Sequence, residues 1–126
     1  MKLVECVPNF SVGNDSQIID KIASSIQSIK GVTLLDIDSG IDTNRTVMTF
    51  AGHPNAVEEA AFESIKSASM LIDMSKHKGT HARMGATDVC PIIPISDVSM
   101  DECIELSHRL GKRVGSELEI PIFLYE

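Results

Sequence analysis

Tryptophan is missing from this chain, and tyrosine occurs once beside four phenylalanines. Aromatic platforms for stacking bases are therefore scarce. A formal net charge of −7 also denies phosphates the basic stripe that binding them needs, so nucleic acid is not an expected partner. No segment approaches the ~18 consecutive apolar residues of a membrane span. Glu5 interrupts the apolar N-terminus, which reads as a strand and not as a signal peptide. Cys6, Cys90 and Cys103 cannot all pair, and none stands in a CxxC spacing. Reduced thiols in a cytoplasmic protein are the expectation, with no metal site. A glycine-rich phosphate loop, a nucleophile elbow and a dinucleotide fingerprint are all lacking.

What the chain does have is one concentrated cluster of polar chemistry. Lys76, His77, Lys78, Gly79, Thr80, His81, Ala82, Arg83, Met84 and Gly85 form a short polar stretch between two core-like segments. Histidine titrates unaided near neutrality, and nearby cations hold it in the neutral, basic form. His81 is therefore the candidate general base. Gly79 and Gly85 let the backbone turn tightly and approach a ligand. A local basic site on an acidic protein suits a small anionic ligand better than a polymer. Composition alone also allows a solvated surface loop with incidental histidines. Lysines near a helix end can equally complement its dipole, which accounts for Lys76 better than for Arg83.

At 126 residues a single domain is expected over 1–126. Leu3 to Val7 reads as a strand, ended by Pro8-Asn9. Asn14 or Ser16 caps a helix in which Ile18, Ile19, Ile22, Ala23, Ile26 and Ile29 keep helical spacing, with Gly31 as the stop. Val32 to Ile37 and Asn44 to Ala51 read as strands joined by a turn. Gly52-His53-Pro54 opens a helix whose buried stripe runs from Val57 to Ile72. Asp88 to Ile95 is an edge or bulged strand, because Pro91 and Pro94 interrupt its donors. Ser99 to Glu102 forms a capping box ahead of a helix ended by Gly115, and Ile120 to Tyr125 reads as a last strand.

The resulting order, βαββαβ with αβ appended, fits an α/β fold of the α+β sandwich kind. A ferredoxin-like, mixed sheet with helices on one face is expected. The strands are apolar on both parities, as in Val32, Leu34 and Leu35, or Val89, Ile92, Ile93 and Ile95. A helix-free face built from them needs cover, from a further domain or a second copy.

Outside the histidine stretch, Asp36 and Asp38 leave a strand end and could orient a histidine or bind a cation. An Asx-type turn explains them as well. Asn44 and Arg45 could offer a fork to a carboxylate, or simply pair with a turn aspartate. Asn9 and Ser11 join this group only if the strand order permits. Cys90 lies in a buried-looking run, where a nucleophilic thiol is not expected. His53 reads as a cap, and His108 as a solvent-facing helix residue.

The strings Leu3-Val4-Glu5-Cys6-Val7-Pro8-Asn9-Phe10-Ser11, Asn44-Arg45-Thr46-Val47, Leu71-Ile72-Asp73-Met74-Ser75, His77-Lys78-Gly79, His81-Ala82-Arg83-Met84-Gly85-Ala86 and Asp88-Val89-Cys90-Pro91 resemble the N-terminal subdomain of the glutamate formiminotransferase family. The similarity runs collinearly from Leu3 to Tyr125. It implies a folate enzyme of histidine degradation that moves a formimino group from N-formiminoglutamate to N5 of tetrahydrofolate, the co-substrate. The histidine of its His-x-Arg-Met-Gly stretch, His81 here, is then the base. Asp38, Asn44, Arg45, Lys78, Gly79, Arg83, Met84 and Gly85 make up the expected substrate-binding set. The charges of Lys78, Arg83 and Arg45 suit the carboxylates of glutamate or of the folate tail. In the family two similar subdomains face each other across their sheets. This chain matches the first alone, so a C-terminal subdomain or a homodimer partner is expected over the sheet. A stand-alone, non-catalytic module that binds folate or self-associates is the alternative.

Overall fold

The computed structural model describes residues 1–72 and 87–118. Its elements are β1 (Leu3–Cys6), β2 (Asn9–Phe10), α1 (Ser16–Gln27), β3 (Val32–Gly40), β4 (Arg45–Gly52), α2 (Pro54–Leu71), β5 (Thr87–Val89), β6 (Ile92–Ser96) and α3 (Met100–Glu117). Prolines cut two long strands into pairs. Pro8 lacks a donor and separates β1 from β2, and Pro91 does the same between β5 and β6. β4 runs unbroken beside both halves of the first pair: β1 aligns with its C-terminal end and β2 with its N-terminal end. β3 lies on the other side of β4, and β5 and β6 flank β2 and β1. Counted as whole ribbons, the order is therefore β3, β4, β1 with β2, then β6 with β5.

This is the α+β sandwich expected from the order of elements. One detail is corrected. Every pairing among the described residues is antiparallel, so nothing there makes the sheet mixed. Two βαβ crossovers, split by the β3–β4 hairpin, bring sequence-distant strands side by side with opposite directions. The expected strand Ile120 to Tyr125 falls outside the described residues.

One parity of the sheet is sealed under the helices. Val4, Cys6, Phe10, Thr46, Met48 and Phe50 are fully buried there, together with Ile22 and Ile26 of α1, Val57, Ala60, Ala61 and Ala68 of α2, and Val114 of α3. Among the described residues no helix covers the opposite parity. Ile93 and Ile95 are 43% and 51% exposed, and Leu35 at the β3 bulge is 56% exposed. Glu5, Thr33, Asp36 and Asp38 interleave with them, so the open face is mixed, not purely apolar.

Local signals account for the helix ends. Asp15, not Asn14 or Ser16, caps α1, accepting from the N–H groups of Gln17 and Ile18. Gly31 adopts φ 94° beyond the end of α1, a backbone state that glycine takes without penalty. His53 caps α2 by accepting from Asn55 N–H at 3.3 Å, as expected. Ser99 caps α3 through Glu102 N–H at 3.1 Å. Gly115 does not stop that helix, which continues to Glu117, because glycine inside a helix costs only about 1 kcal/mol and Val114 is buried against the core. On the outer surface Arg113 ties α2 to α3. Its guanidinium lies 4.1 Å from the Phe62 ring centre, with Glu59 at 3.0 Å and Glu58 at 3.5 Å.

Candidate functional site

A solvent-open groove of about 550 Å³ lies on the helix-free face at the β3–β4 end of the sheet. Asp38, Gly40, Thr43, Arg45 and Val47 line it. Antiparallel register explains the company they keep. Asp38 pairs with Val47 and Gly40 with Arg45, so alternate residues of both strands project from one face. A carboxylate and a guanidinium thus meet in one concavity, a combination that suits a ligand carrying both charges or a carboxylate with a nearby donor.

The turn that presents Arg45 is held from below. Asn44 stands at φ 52°, in the left-handed region that asparagine tolerates better than most residues. Its Oδ1 accepts from Gly13 N–H at 3.1 Å. Thr46 donates its hydroxyl proton to the Val12 carbonyl, and that hydroxyl is fully buried. Gly13 itself is pressed against the Gly40 carbonyl oxygen and the Arg45 nitrogen, where a Cβ would collide with backbone. The segment after β2 therefore acts as a shelf under the groove floor. Asn44, one of the expected substrate-binding residues, fastens this shelf through its carboxamide oxygen.

Two further expectations meet the structure here. Asn9 does share the site's face: it pairs with Val47, which pairs with Asp38, so the row Asp38, Val47, Asn9 crosses three strands. Val89 continues the same row beyond Asn9. Ser11, by contrast, is fully buried. Asp36 faces Thr49 on the open face and is exposed, outside the groove lining. His81, Lys78, Gly79, Arg83, Met84 and Gly85 lie outside the described residues, as does His77. Gly40, Thr43 and Val47 were not picked out from sequence, because nothing in their residue types announces a groove. Only the hairpin register gathers them.

Burial works against nucleophile character at Cys6 and at Cys103. Burial, reinforced by a contact with Cys90, pushes the Cys6 thiol well above its usual range, and burial raises Cys103 as well. Among the described residues no group of three His, Cys, Asp or Glu side chains is arranged to hold a metal ion. No described helix is long and apolar enough to cross a membrane.

Fold and groove together define a two-layer α+β domain that presents a charged, open sheet face. Comparison with known proteins makes that class specific. The family model for the formiminotransferase domain, N-terminal subdomain, matches residues 3–126, and the chain belongs to that family. It is 54% identical over 124 residues to formimidoyltransferase-cyclodeaminase of Rattus norvegicus, covering 98% of this chain and 23% of that protein. It is 52% identical over 125 residues to glutamate formimidoyltransferase of Streptococcus pyogenes serotype M1, covering 99% of this chain and 42% of the relative. For the Thermoplasma acidophilum glutamate formimidoyltransferase the identity is 46% over 125 residues, with 99% and 41% covered. The chain thus spans between a quarter and two fifths, roughly, of the relatives it matches.

Proposed function

We propose that this chain is the N-terminal half of a folate-dependent glutamate formimidoyltransferase, in which the formimino group of N-formimino-L-glutamate passes to N5 of tetrahydrofolate. The observation that carries the reading is the Asp38–Arg45 groove on the open sheet face of a chain that belongs, along its whole length, to the formiminotransferase family. Relatives named for formimidoyl transfer to or from glutamate support it.

In this reading Arg45 grips a carboxylate of glutamate or of the folate tail, and Asp38 faces the cationic formimino end. Lys78 and Arg83, with the backbone at Gly79, Met84 and Gly85, complete the binding set. His81 is the general base. As N5 attacks the formimino carbon it must lose a proton, and the glutamate nitrogen must gain one as its bond to that carbon breaks. A neutral imidazole can take the first proton and deliver it to the leaving nitrogen. The chain leaves α2 after Ile72 and re-enters the sheet at Thr87, opposite Phe10. Val89 then falls in the row that ends at Asp38, three strand spacings or about 14 Å away. Residues 73–86, His81 among them, join Ile72 to Thr87.

Exposed Leu35, Ile93 and Ile95 favour cover for the open face by a C-terminal subdomain or a second copy in a homodimer. Free thiols at Cys6, Cys90 and Cys103 accord with a cytoplasmic setting. A second reading, a module that binds folate or self-associates without turnover, draws support from the exposed apolar side chains on the open sheet face. Formation of 5-formiminotetrahydrofolate from formiminoglutamate, followed in the complete enzyme and its His81→Ala variant, tests the main reading. Transfer should vanish while the circular dichroism spectrum stays unchanged; undiminished transfer in the variant ends the assignment of the base. Tight folate binding by the intact protein with no transfer would favour the module instead.

A further inference from the structure

Two of the three thiols stand together. Cys6 Sγ and Cys90 Sγ are 3.3 Å apart although 84 positions separate them in the chain. Cys6 is the last residue of β1 and is fully buried; Cys90 is half-buried in the break between β5 and β6, next to Pro91. The backbone around them is already joined, since Val7 N–H donates to the Pro91 carbonyl at 3.1 Å and Cys6 pairs with Ile92. Neither thiol is needed for the proposed transfer, and Cys103 sits apart on α3.

We propose that Cys6 and Cys90 form a peroxide-sensitive thiol pair, with Cys90 the point of entry and Cys6 the resolving thiol, closing to a disulfide that staples β1 to the start of β6. The geometry sets the roles. Only Cys90 has solvent access of its own, so a hydroperoxide meets it first. The Cys90 thiol gives up its proton as its sulfur attacks one peroxide oxygen; the S–O bond forms, the O–O bond breaks, and the departing hydroxide takes that proton and leaves as water, with Cys90 now a sulfenic acid. Cys6 sulfur then attacks Cys90 sulfur; the S–S bond forms, the S–O bond breaks, and the departing hydroxide takes the Cys6 proton as a second water. Overall two thiols lose two electrons and two protons, and one peroxide becomes two waters. Position outside the strand ladder leaves Cys90 free to make the short approach the bond requires. Burial keeps Cys6 protonated and inert toward oxidants in solution, so it reacts only with a neighbouring oxidised sulfur. The inference does not depend on the formimidoyl transfer reading.

Treating the full chain with hydrogen peroxide, alkylating the remaining thiols under unfolding conditions and mapping the peptides by mass spectrometry tests this. The expected result is one Cys6–Cys90 cross-linked peptide pair, two hydrogens lost per chain, Cys103 still alkylated, and reversal by dithiothreitol. In Cys90→Ser, Cys6 should stay a free thiol at the same peroxide dose. Three thiols still alkylatable after peroxide, over-oxidation of Cys90 beside a free Cys6, or cross-links only between chains would overturn the proposal. So would oxidation of Cys6 in Cys90→Ser at the wild-type rate. The wild-type map alone decides the case if the variant does not fold.

Discussion

Gly13 and Gly40 are in backbone contact so close that a Cβ on the first would overlap the carbonyl oxygen of the second. The contact joins the segment after β2 to the turn that closes the groove. It makes stability and binding geometry inseparable at this corner. Gly13→Ala should force the two backbones apart and cost about 1–3 kcal/mol. A urea denaturation series reads this directly, and an unchanged midpoint would contradict the packing described here.

Asn44 offers a second test of the same corner, because two properties are needed there at once. Its left-handed backbone would cost alanine about 1 kcal/mol, and losing Oδ1 leaves the Gly13 N–H without that acceptor, for a further 1–2 kcal/mol or so. Asn44→Gly should incur only the second loss. Alanine is thus expected to be the more damaging substitution by thermal unfolding; equal effects would show that backbone strain plays no part.

Arg45 and Asp38 should separate binding from turnover. A charge-assisted hydrogen bond to a ligand carboxylate is worth about 1.5–3 kcal/mol, so Arg45→Ala should raise KM for formiminoglutamate or folate roughly 10–100-fold. Arg45→Lys should recover part of this, since it keeps the charge but loses the fork. Asp38→Asn should weaken binding of the cationic substrate with less effect on folate. Steady-state kinetics on the complete enzyme, varying each substrate in turn, would reveal the split, and unaltered KM values for both would remove the groove from the site.

On the far side of the molecule, Arg113 holds α3 against α2 by charge and by its position over Phe62. Close carboxylates, Glu59 first, favour its charged form. Its side chain is 29% exposed, so solvent screens part of the attraction. Arg113→Ala should destabilise by about 1–2 kcal/mol, with the difference from wild type shrinking in high salt. A salt-independent difference would assign the effect to packing alone.

Much of this architecture was legible from local pattern. Ile19, Ile22 and Ile26 at helical spacing, Pro54 in a first turn and Ser99 three residues before Glu102 each announce an element through short-range chemistry, and all three helices follow. Pro8 was readable as the end of the first strand, whereas Asp88 to Ile95, expected as one edge or bulged strand, is divided at Pro91 into β5 and β6. Collinear motifs were enough for the family.

What local pattern could not supply is which strands become neighbours. Asp38, Val47 and Asn9 form one row only because β4 lies between β3 and β2, and the antiparallel direction of each pair settles which side chains share a face. Nothing local to Asn44 announces that Gly13, thirty-one positions away, donates its N–H to the Asn44 carboxamide oxygen. Cys6 and Cys90 read as unrelated thiols until the fold sets them 3.3 Å apart. The three helices and the caps at His53 and Ser99 follow from forces acting over a few residues, so the sequence by itself determined them. The groove, the shelf beneath it and the thiol pair depend on non-local strand pairing and burial, and only the tertiary structure decided those.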